Sequence, residues 1–525
     1  MPSIDIWNLE PFLLVCLILA AAMLIWNTVE VGRNDAANLV NAVFGARVLR
    51  RRTAVVVAGL AVVCGAVLSS DVMDTARKGI FDPTALGGIE AALAIYISVY
   101  IVNTVLLYGY SAFGMPVSTT ASLVFALLGA ACAMNTDAVN WHKATMVLVG
   151  IVCSIVFSGF AAFFIQRAAR AAIRDRTKHL PTLLLHGGWV GGGLAAGLSY
   201  FLLFKGMKNL GFVQDLKSLI QQLDDLVQAD VGGALLALSL WGLFAIAIHL
   251  TLVVFRRRAA RVLFPALAIF GMIAMAFSFG QNDLANCASP GLSTVALIQA
   301  QSADIAKQNP IHWLLLLVCG FLLFAGMTTE AAARVTKAEV STGSMGDHVA
   351  LWAPNWCVRM ARVLLRFRGK APALAPRAGI TKTGKTKHYD SLRAAVMTSV
   401  SASVIATASS LGLPVSTTYV AFAAVVATGM ADRIFQRGDA ELKLGRSIWV
   451  IFSWGFSALI AATATFLVAT VVFHFQIGGI VVCLAVNFTV RYMLKKRADE
   501  QAVRVEEEAY ERVHPEEFAL EQEDA

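Results

Sequence analysis

The sequence predicts an all-α polytopic membrane protein, arranged as an inverted-topology repeat with two re-entrant helical hairpins. Three observations lead to this fold class: the composition, a series of long apolar runs, and two polar motifs that each occur twice. Hydrophobic residues make up 58% of the chain and charged residues 15%. Soluble domains are about half apolar and a quarter charged, and apolar runs of about 20 residues have the length that spans a bilayer.

The apolar runs define the path of the chain across the membrane. Basic clusters lie between several runs, and such clusters stay on the cytoplasmic side. The runs at 118–134 and 415–430 are short for a span of roughly 20 residues. If 90–134 and 392–430 are hairpins that enter and return, every basic cluster lies inside, with about nine spans, the N-terminus outside and the C-terminus cytoplasmic. The runs are 11–31, 53–73, 90–113, 118–134, 143–165, 182–204, 233–255, 262–280, 311–330, 392–411, 415–430, 446–473 and 476–494.

This path divides the chain into five parts. Both repeats follow the order span, span, hairpin, span, but the first begins outside and the second begins inside. Inverted repeats of this kind are frequent in secondary transporters. The parts are a first repeat at 11–165 with its hairpin tip at 114–120, connecting spans at 166–261, a second repeat at 262–473 with a cytoplasmic loop at 331–391 and a hairpin tip at 412–418, a last span at 474–497, and an acidic cytoplasmic tail at 498–525.

The first repeated motif is Pro-Val-Ser-Thr-Thr, at 116–120 and 414–418, with a glycine two residues before each copy. A proline and hydroxyl residues before an apolar run are typical of a helix N-terminus, whose free amides attract anions. A helix interrupted within the membrane is tolerated only where it lines a cavity. Two such N-termini facing each other would bind an anion, so we expect these hydroxyl residues to bind substrate: Ser118, Thr119, Thr120, Ser416, Thr417 and Thr418.

The second repeated motif is Gly-x-Asn-Asp-x-Ala-Asn, which begins at Gly32 and again at Gly280. Its copies lie 248 residues apart, and those of the first motif lie 298 residues apart. The difference of 50 residues is about the length that the cytoplasmic loop adds to the second half. Both spacings are therefore explained by an internal duplication. An ionised carboxylate inside a membrane needs a cation or a proton. We therefore expect a coupling ion at Asp35, Asp283, Asn34 and Asn282, and substrate contacts from Asn38 and Asn286. A cation between the anion and the carboxylates lowers the cost of both, which is the logic of symport.

The paired motifs resemble the signatures of the inorganic phosphate transporter (PiT) family, whose members symport phosphate with sodium or protons. The resemblance covers about 30–165 and 262–470. It implies that Asp35, Asn38, Asp283 and Asn286 surround phosphate and the coupling ion together with the hairpin tips. Arg33 departs from the family pattern, in which a small residue is frequent. It could be an anion ligand or extend to the membrane interface.

We therefore expect a transporter that imports inorganic phosphate with H⁺ or Na⁺, by alternating access around a site at the membrane midplane. Its partners would be phosphate, the coupling cation and the lipid bilayer of the plasma (cell inner) membrane, with no nucleic acid; a homo-oligomer stays open. A sulfate permease of the same fold is the closest alternative. An anion channel would need rings of like charge, and the apolar runs contain few Arg or Lys. The sequence has no His/Cys cluster or nucleophile–base arrangement, so we expect neither an enzyme nor a cofactor beyond the cation.

Overall fold

The computed structural model describes residues 9–69, 79–207, 210–227, 231–301, 312–366, 379–380 and 386–513. This part of the chain is almost entirely helical. The α-helices are α1 (Pro11–Gly45), α2 (Arg51–Val67), α3 (Ile89–Ala112), α4 (Thr119–Met134), α5 (Trp141–Ile173), α6 (Leu180–Tyr200), α7 (Gly211–Val227), α8 (Gly232–Ala300), α9 (Trp313–Met327), α10 (Glu330–Thr342), α11 (Asn355–Leu365), α12 (Ser391–Ser410), α13 (Thr417–Ala431) and α14 (Ala440–Val513).

Short elements connect some of these helices. A π-helical turn (Phe201–Gly206) extends α6, and 3₁₀ turns lie at Pro83–Leu86, Thr136–Ala138 and Ile434–Gln436. Two strands of two residues each, β1 (Gly379–Ile380) and β2 (Thr386–Lys387), pair antiparallel between α11 and α12.

Seven of the described helices are long and apolar enough to cross a membrane, or eight if the bent pair of α9 and α10 is one span. Two of the seven, α8 and α14, contain 69 and 74 residues, far more than the roughly 20 that one span needs. Each is broken once: α8 at Arg256 (φ 47°), between the apolar runs predicted at 233–255 and 262–280, and α14 at Gln476 (φ 44°), where the predicted run 476–494 begins. The all-α polytopic prediction is therefore confirmed.

The surface of α5 shows why this bundle belongs in lipid. Phe157, Phe160 and Phe164 are 66%, 63% and 61% exposed on one face of that helix. A contiguous apolar surface of this kind is rare on soluble proteins. The protein is an integral membrane protein.

The region predicted as a loop at 331–391 contains more structure than expected. It begins with α10, which is bent by 66° from α9, and it includes a second short helix, α11 (Asn355–Leu365). From the break at Gln476 onwards, the predicted last span and the described part of the tail form one helix as far as Val513. Residues 514–525 of the tail lie outside the described residues.

The packing of the two halves repeats, as the duplicated motifs predict. A Cβ atom on Gly32 of α1 would clash with the carbonyl oxygen of Leu323 on α9. A Cβ atom on Gly280 of α8 would clash in the same way with the carbonyl oxygen of Val62 on α2. Gly32 and Gly280 are 248 residues apart, so α1 packs on α9 as the corresponding part of α8 packs on α2. The same two helix pairs make a second pair of equivalent contacts. Gly326 of α9 lies against the carbonyl oxygen of Val29 on α1, and Gly65 of α2 lies against that of Phe277 on α8.

The short helix that follows each Pro-Val-Ser-Thr-Thr motif packs on a long helix of the other half. The Ser158 hydroxyl of α5 donates to the carbonyl oxygen of Val420 on α13 at 2.8 Å. The Thr465 hydroxyl of α14 donates to the carbonyl oxygen of Ala126 on α4 at 2.9 Å. The two halves are therefore interlocked, and neither forms a separate body.

Candidate functional site

Two tight turns place the Pro-Val-Ser-Thr-Thr motifs at the starts of α4 and α13. Each turn begins at a glycine in the left-handed region, Gly114 (φ 62°) and Gly412 (φ 64°), a conformation that other residues rarely adopt. The Ser118 hydroxyl accepts the amide hydrogen of Ala121 at 2.9 Å, and the Ser416 hydroxyl accepts that of Tyr419 at 3.1 Å. Both serines are therefore N-caps, and the positive ends of two helices lie at the tips.

The two tips contact each other through threonine hydroxyls. Thr120 Oγ1 donates to the carbonyl oxygen of Val415 at 2.9 Å. Thr418 Oγ1 lies 3.3 Å from the carbonyl oxygen of Val117 and can donate to it in the same way. Since Val117 and Val415 occupy equivalent positions, the two tips meet around a local two-fold relation.

The asparagine that begins each Asn-Asp pair attaches a long helix to the tip in its own half. Asn34 Nδ2 donates to the carbonyl oxygen of Val117 at 2.7 Å, and Asn282 Nδ2 donates to that of Val415 at 2.7 Å. The Ser111 hydroxyl also donates to Asn34 Oδ1 at 3.2 Å. These contacts bring the two predicted motifs together in each half.

Asp35 accepts hydrogen bonds from both halves. Its Oδ1 receives Thr418 Oγ1 at 2.6 Å, Asn34 Nδ2 at 3.0 Å and Asn38 Nδ2 at 3.1 Å. Asn38 Nδ2 also donates to Thr418 Oγ1 at 3.0 Å. The tip threonine that contacts Asp35 thus comes from the opposite half of the chain, 383 residues away.

Asp283 has the equivalent position in the second half. Its Oδ1 receives Thr119 Oγ1 at 2.8 Å and Asn286 Nδ2 at 2.8 Å, while Oδ2 receives Asn282 Nδ2 at 3.3 Å. Asn286 Nδ2 also donates to Thr120 Oγ1 at 2.7 Å. Each carboxylate is therefore surrounded by amide and hydroxyl donors from both motifs.

One hydroxyl connects the two carboxylates. Thr119 Oγ1 lies 2.8 Å from Asp283 Oδ1 and 3.3 Å from Asp35 Oδ2. Its single hydrogen can serve only one carboxylate oxygen at a time. Two negative charges this close repel strongly away from water, so the pair favours a cation between them or a proton on one.

All twelve predicted site residues lie in this cluster, and each is at most 4% exposed. Thr417 is buried at the first position of α13. The Oδ1 atoms of Asn38 and Asn286 are buried and have no hydrogen-bond partner within the described ranges. The site is thus closed to solvent, with two equivalent acceptor atoms left available.

Comparison with known proteins identifies the family. The sequence profile of the phosphate transporter family matches residues 31–338 and 380–499, which is more than half of the chain. The chain belongs to this family. Its fold and family make it a transporter and not an enzyme.

Relatives match over most of their length at low identity. A Haemophilus influenzae protein named as a phosphate permease is 24% identical over 81% of this chain and 89% of its own length. A Chlamydia trachomatis protein with the same name is 26% identical over 84% of this chain and 94% of its own length. A solved structure titled as the sodium-dependent phosphate transporter covers 87% of this chain and 98% of its own, with a TM-score of 0.62 and 21% identity. This last likeness concerns the fold.

In this phosphate transporter Arg33 forms an ion pair, a contact that the sequence did not predict. It pairs with Glu30 one helical turn earlier, and Arg491 Nη2 donates to the same carboxylate at 2.7 Å. Both guanidinium groups lie over the ring of Tyr108, at 4.8 and 4.1 Å from its centre. Glu30 is only 3% exposed, so its carboxylate is enclosed within the protein together with the two guanidinium groups. The spacing of three residues between Glu30 and Arg33 could have indicated their ion pair, because side chains three apart are neighbours on a helix. The contact with Arg491 could not be predicted in this way, since that residue is distant in sequence.

A cavity adjoins each hairpin tip of the transporter. The larger, of about 780 Å³, borders Gly114 and is lined by basic residues that include Arg47, Lys337 and Arg446. Arg446 is buried, and its Nη2 donates to the carbonyl oxygen of Gly114 at 2.8 Å. The smaller, of about 260 Å³, borders Leu411 beside the other tip. The lining of the larger cavity has more basic than acidic side chains.

Proposed function

We propose that this protein imports inorganic phosphate by symport with H⁺ or Na⁺, by alternating access around the cluster at the two hairpin tips. The observation that carries the proposal is the shared hydroxyl of Thr119, which brings Asp35 and Asp283 to one point between two helix N-termini. The N-termini attract an anion, and the carboxylates repel it. A bound cation removes that repulsion, so each ion increases the affinity for the other.

Each group of residues has a distinct role in this proposal. The tip hydroxyls and free amides at 118–120 and 416–418 hold the phosphate oxygens. Asp35 and Asp283, with Asn34 and Asn282, hold the coupling cation, since carboxylate and amide oxygens suit a hard cation or a proton. A solved structure that shares this fold is titled as sodium-dependent, which supports Na⁺ as one of the two candidates.

The unpartnered oxygens of Asn38 and Asn286 favour phosphate over sulfate. Phosphate keeps at least one O–H group near neutral pH, and an amide oxygen can accept that hydrogen. Sulfate has no such hydrogen, so it would leave both buried oxygens unsatisfied. A site with two buried acceptors beside the anion therefore discriminates against sulfate.

We also propose the path through the membrane that the sequence predicts. Residues 11–165 and 262–473 form two inverted repeats, their hairpins are re-entrant, and the basic loops face the cytoplasm of the cell whose inner membrane holds the protein. The basic 780 Å³ cavity then opens to the cytoplasm beside the first tip, and the smaller cavity lies on the outer side. The closed cluster between them corresponds to an occluded state.

Uptake of labelled phosphate into proteoliposomes, with sodium and pH gradients imposed separately, tests the proposal. We expect accumulation with at least one gradient, competition by arsenate, which carries the same O–H groups, and weak competition by sulfate. Uptake that is indifferent to both gradients would refute symport. Competition by sulfate and not by arsenate would refute phosphate as the substrate.

A further inference from the structure

A buried glutamate outside the site has half of its hydrogen-bonding capacity unused. Glu339 on α10 is 1% exposed. Its Oε2 accepts Asn41 Nδ2 at 2.8 Å, and its Oε1 has no hydrogen-bond partner among the residues described. A buried carboxylate without a counter-charge is costly, so this environment favours the neutral acid, which carries a proton.

The charged and titratable groups around α10 are directed to other partners. The helices packed against it are α1, α3 and α14, and the second half of α3 has tyrosines but no charged residue. Arg47, two residues after α1, lies over the Phe44 ring, and Lys337 of α10 lines the 780 Å³ cavity. The others and their partners are Arg393 with the Gly343 carbonyl (2.8 Å), Lys443 with the Gly346 carbonyl (2.5 Å), Arg446 with the Gly114 carbonyl (2.8 Å), Arg334 with Asp499 (2.8 Å), His388 with the Ser344 hydroxyl (3.0 Å) and Tyr389 with the Asn41 carbonyl (2.5 Å).

A polar face of α1 connects Glu339 with the transport site. Asn34, Asn38 and Asn41 are spaced by four and three residues, so they lie on one face of the helix. All three are buried, and Asn38 Oδ1 has no partner within the described part of the chain. Asn41 lies six residues beyond Asp35, which is about 9 Å along the helix axis.

The other side of Glu339 lies next to water-accessible space. Its sequence neighbours Ala338 and Val340 line the 780 Å³ cavity, as do Phe44 near Asn41 and His388 beside Tyr389. Glu339 therefore lies one layer behind the wall of this cavity. A proton leaving the carboxyl group has a short path to the cavity and thus to the solution.

We propose that Glu339 is a proton-binding site that couples transport to pH on the cytoplasmic side, a role that rests on the proposed function. The Oε1–H bond forms when the carboxylate takes a proton that has entered from the outside with the phosphate, as the O–H bond of the phosphate that carried it breaks, and the proton stays while the occluded site is loaded. The same bond breaks when the larger cavity opens, and the proton passes to water there as phosphate is released. Asn41 holds the carboxyl group in both forms through Oε2, and α1 links this change to Asp35.

Glu339→Gln tests this role, because glutamine has the shape of the neutral acid and can still accept from Asn41. In proteoliposomes we expect phosphate exchange at equal concentrations to stay within about twofold of wild type. One coupled proton and a gradient of one pH unit, worth 1.36 kcal/mol, support about tenfold accumulation. We expect that accumulation to disappear in the variant. Glu330→Gln, at an exposed carboxylate on the same helix, should behave as wild type.

The outcomes separate this inference from the proposed function. Wild-type protein that moves no phosphate at all refutes the proposed function. Wild-type protein that transports phosphate but gains nothing from a pH gradient overturns the proton site alone, and so does a Glu339→Gln variant that keeps the full pH-driven accumulation. If Glu339→Gln also loses exchange, Glu339→Asp decides: restored pH-driven accumulation supports the proton site, and its continued absence shows that Glu339 is only structural.

Discussion

Asp283→Asn separates the charge of the site from its shape. The asparagine can keep an oxygen at the Oδ1 position, where it still accepts Thr119 Oγ1 and Asn286 Nδ2 at 2.8 Å each. Its new Nδ2 takes the place of Asp283 Oδ2 and faces Asn282 Nδ2. Both are donors, so the 3.3 Å hydrogen bond from Asn282 Nδ2 to Asp283 Oδ2 is lost. Leaving one buried donor unsatisfied costs about 1–3 kcal/mol. This is less than the usual free energy of unfolding of about 5–15 kcal/mol, so we expect a folded protein.

The lost charge has a larger effect on coupling than the lost hydrogen bond has on stability. Without the Asp283 carboxylate the cluster has one negative charge fewer, and the cation that it balances is no longer required. A tenfold gradient of one coupled cation is worth about 1.4 kcal/mol, and we expect the roughly tenfold phosphate accumulation that it drives to fall to none.

The assay is uptake of labelled phosphate into proteoliposomes at fixed internal phosphate, with exchange measured in parallel. Thermal unfolding in detergent is the control for folding. Asp35→Asn is a matched comparison, since the new amide can face Thr119 while Oδ1 keeps its three donors. Accumulation by folded Asp283→Asn protein at the wild-type level would refute the role of this carboxylate in coupling.

Three further predictions use four other substitutions around the site, one of them a control. Gly32→Ala places a methyl group against the Leu323 carbonyl. We expect the free energy of unfolding to fall by about 1–3 kcal/mol or more, which lowers the midpoint of thermal unfolding. An unchanged midpoint would contradict the close packing of α1 on α9. Arg170→Ala removes the guanidinium group that contacts Asp432 at 2.8 Å and Asp390 at 2.6 Å, and we expect a loss of about 3–5 kcal/mol in denaturant unfolding because Asp432 stays buried and unpaired. Arg334→Ala, whose partner Asp499 is exposed, is the control and should cost less than about 1 kcal/mol, so equal effects would be inconsistent with this reasoning. Burial and the nearby Arg47 and Lys443 lower the pKa of His388 from 6.5 to about 4. Between these two pH values the imidazole binds a proton in the unfolded chain but not in the folded protein. The free energy of unfolding therefore falls as the pH drops from 6.5 towards 4. His388→Gln should flatten this part of the stability curve, and an identical slope in both proteins would contradict the assignment.

The paired motifs carried most of the information about the site. Because the same seven-residue pattern surrounds Asp35 and Asp283, the sequence indicates that both belong to one symmetric arrangement, and the hydrogen bonds to Val117 and Val415 show it. Which half supplies which partner is not visible in the sequence. Thr418 binds the carboxylate of the other half, a contact over 383 residues that no local pattern specifies.

Residues that occur in only one half were the hardest to predict. Asn41 corresponds to Ser289 by the spacing of the Asn-Asp motifs, so its bond with Glu339 is not duplicated. Glu30 on α1 pairs with Arg491 on α14, in the predicted last span at 474–497, which lies beyond the second of the two predicted repeats. Their distance in sequence conceals contacts of this kind until the fold brings them together.

The interlocked packing of the short helices also affects biosynthesis. The α5 helix is complete at Ile173, but α13, the helix on which it packs, begins only at Thr417. At a synthesis rate of about 5–20 residues per second, the roughly 240 intervening residues take about 12–50 s to appear. Throughout that interval Asp35 lies in the nascent chain without Thr418. The first half must therefore wait in the membrane with an incomplete polar cluster, where chaperones and membrane proteases can act on it.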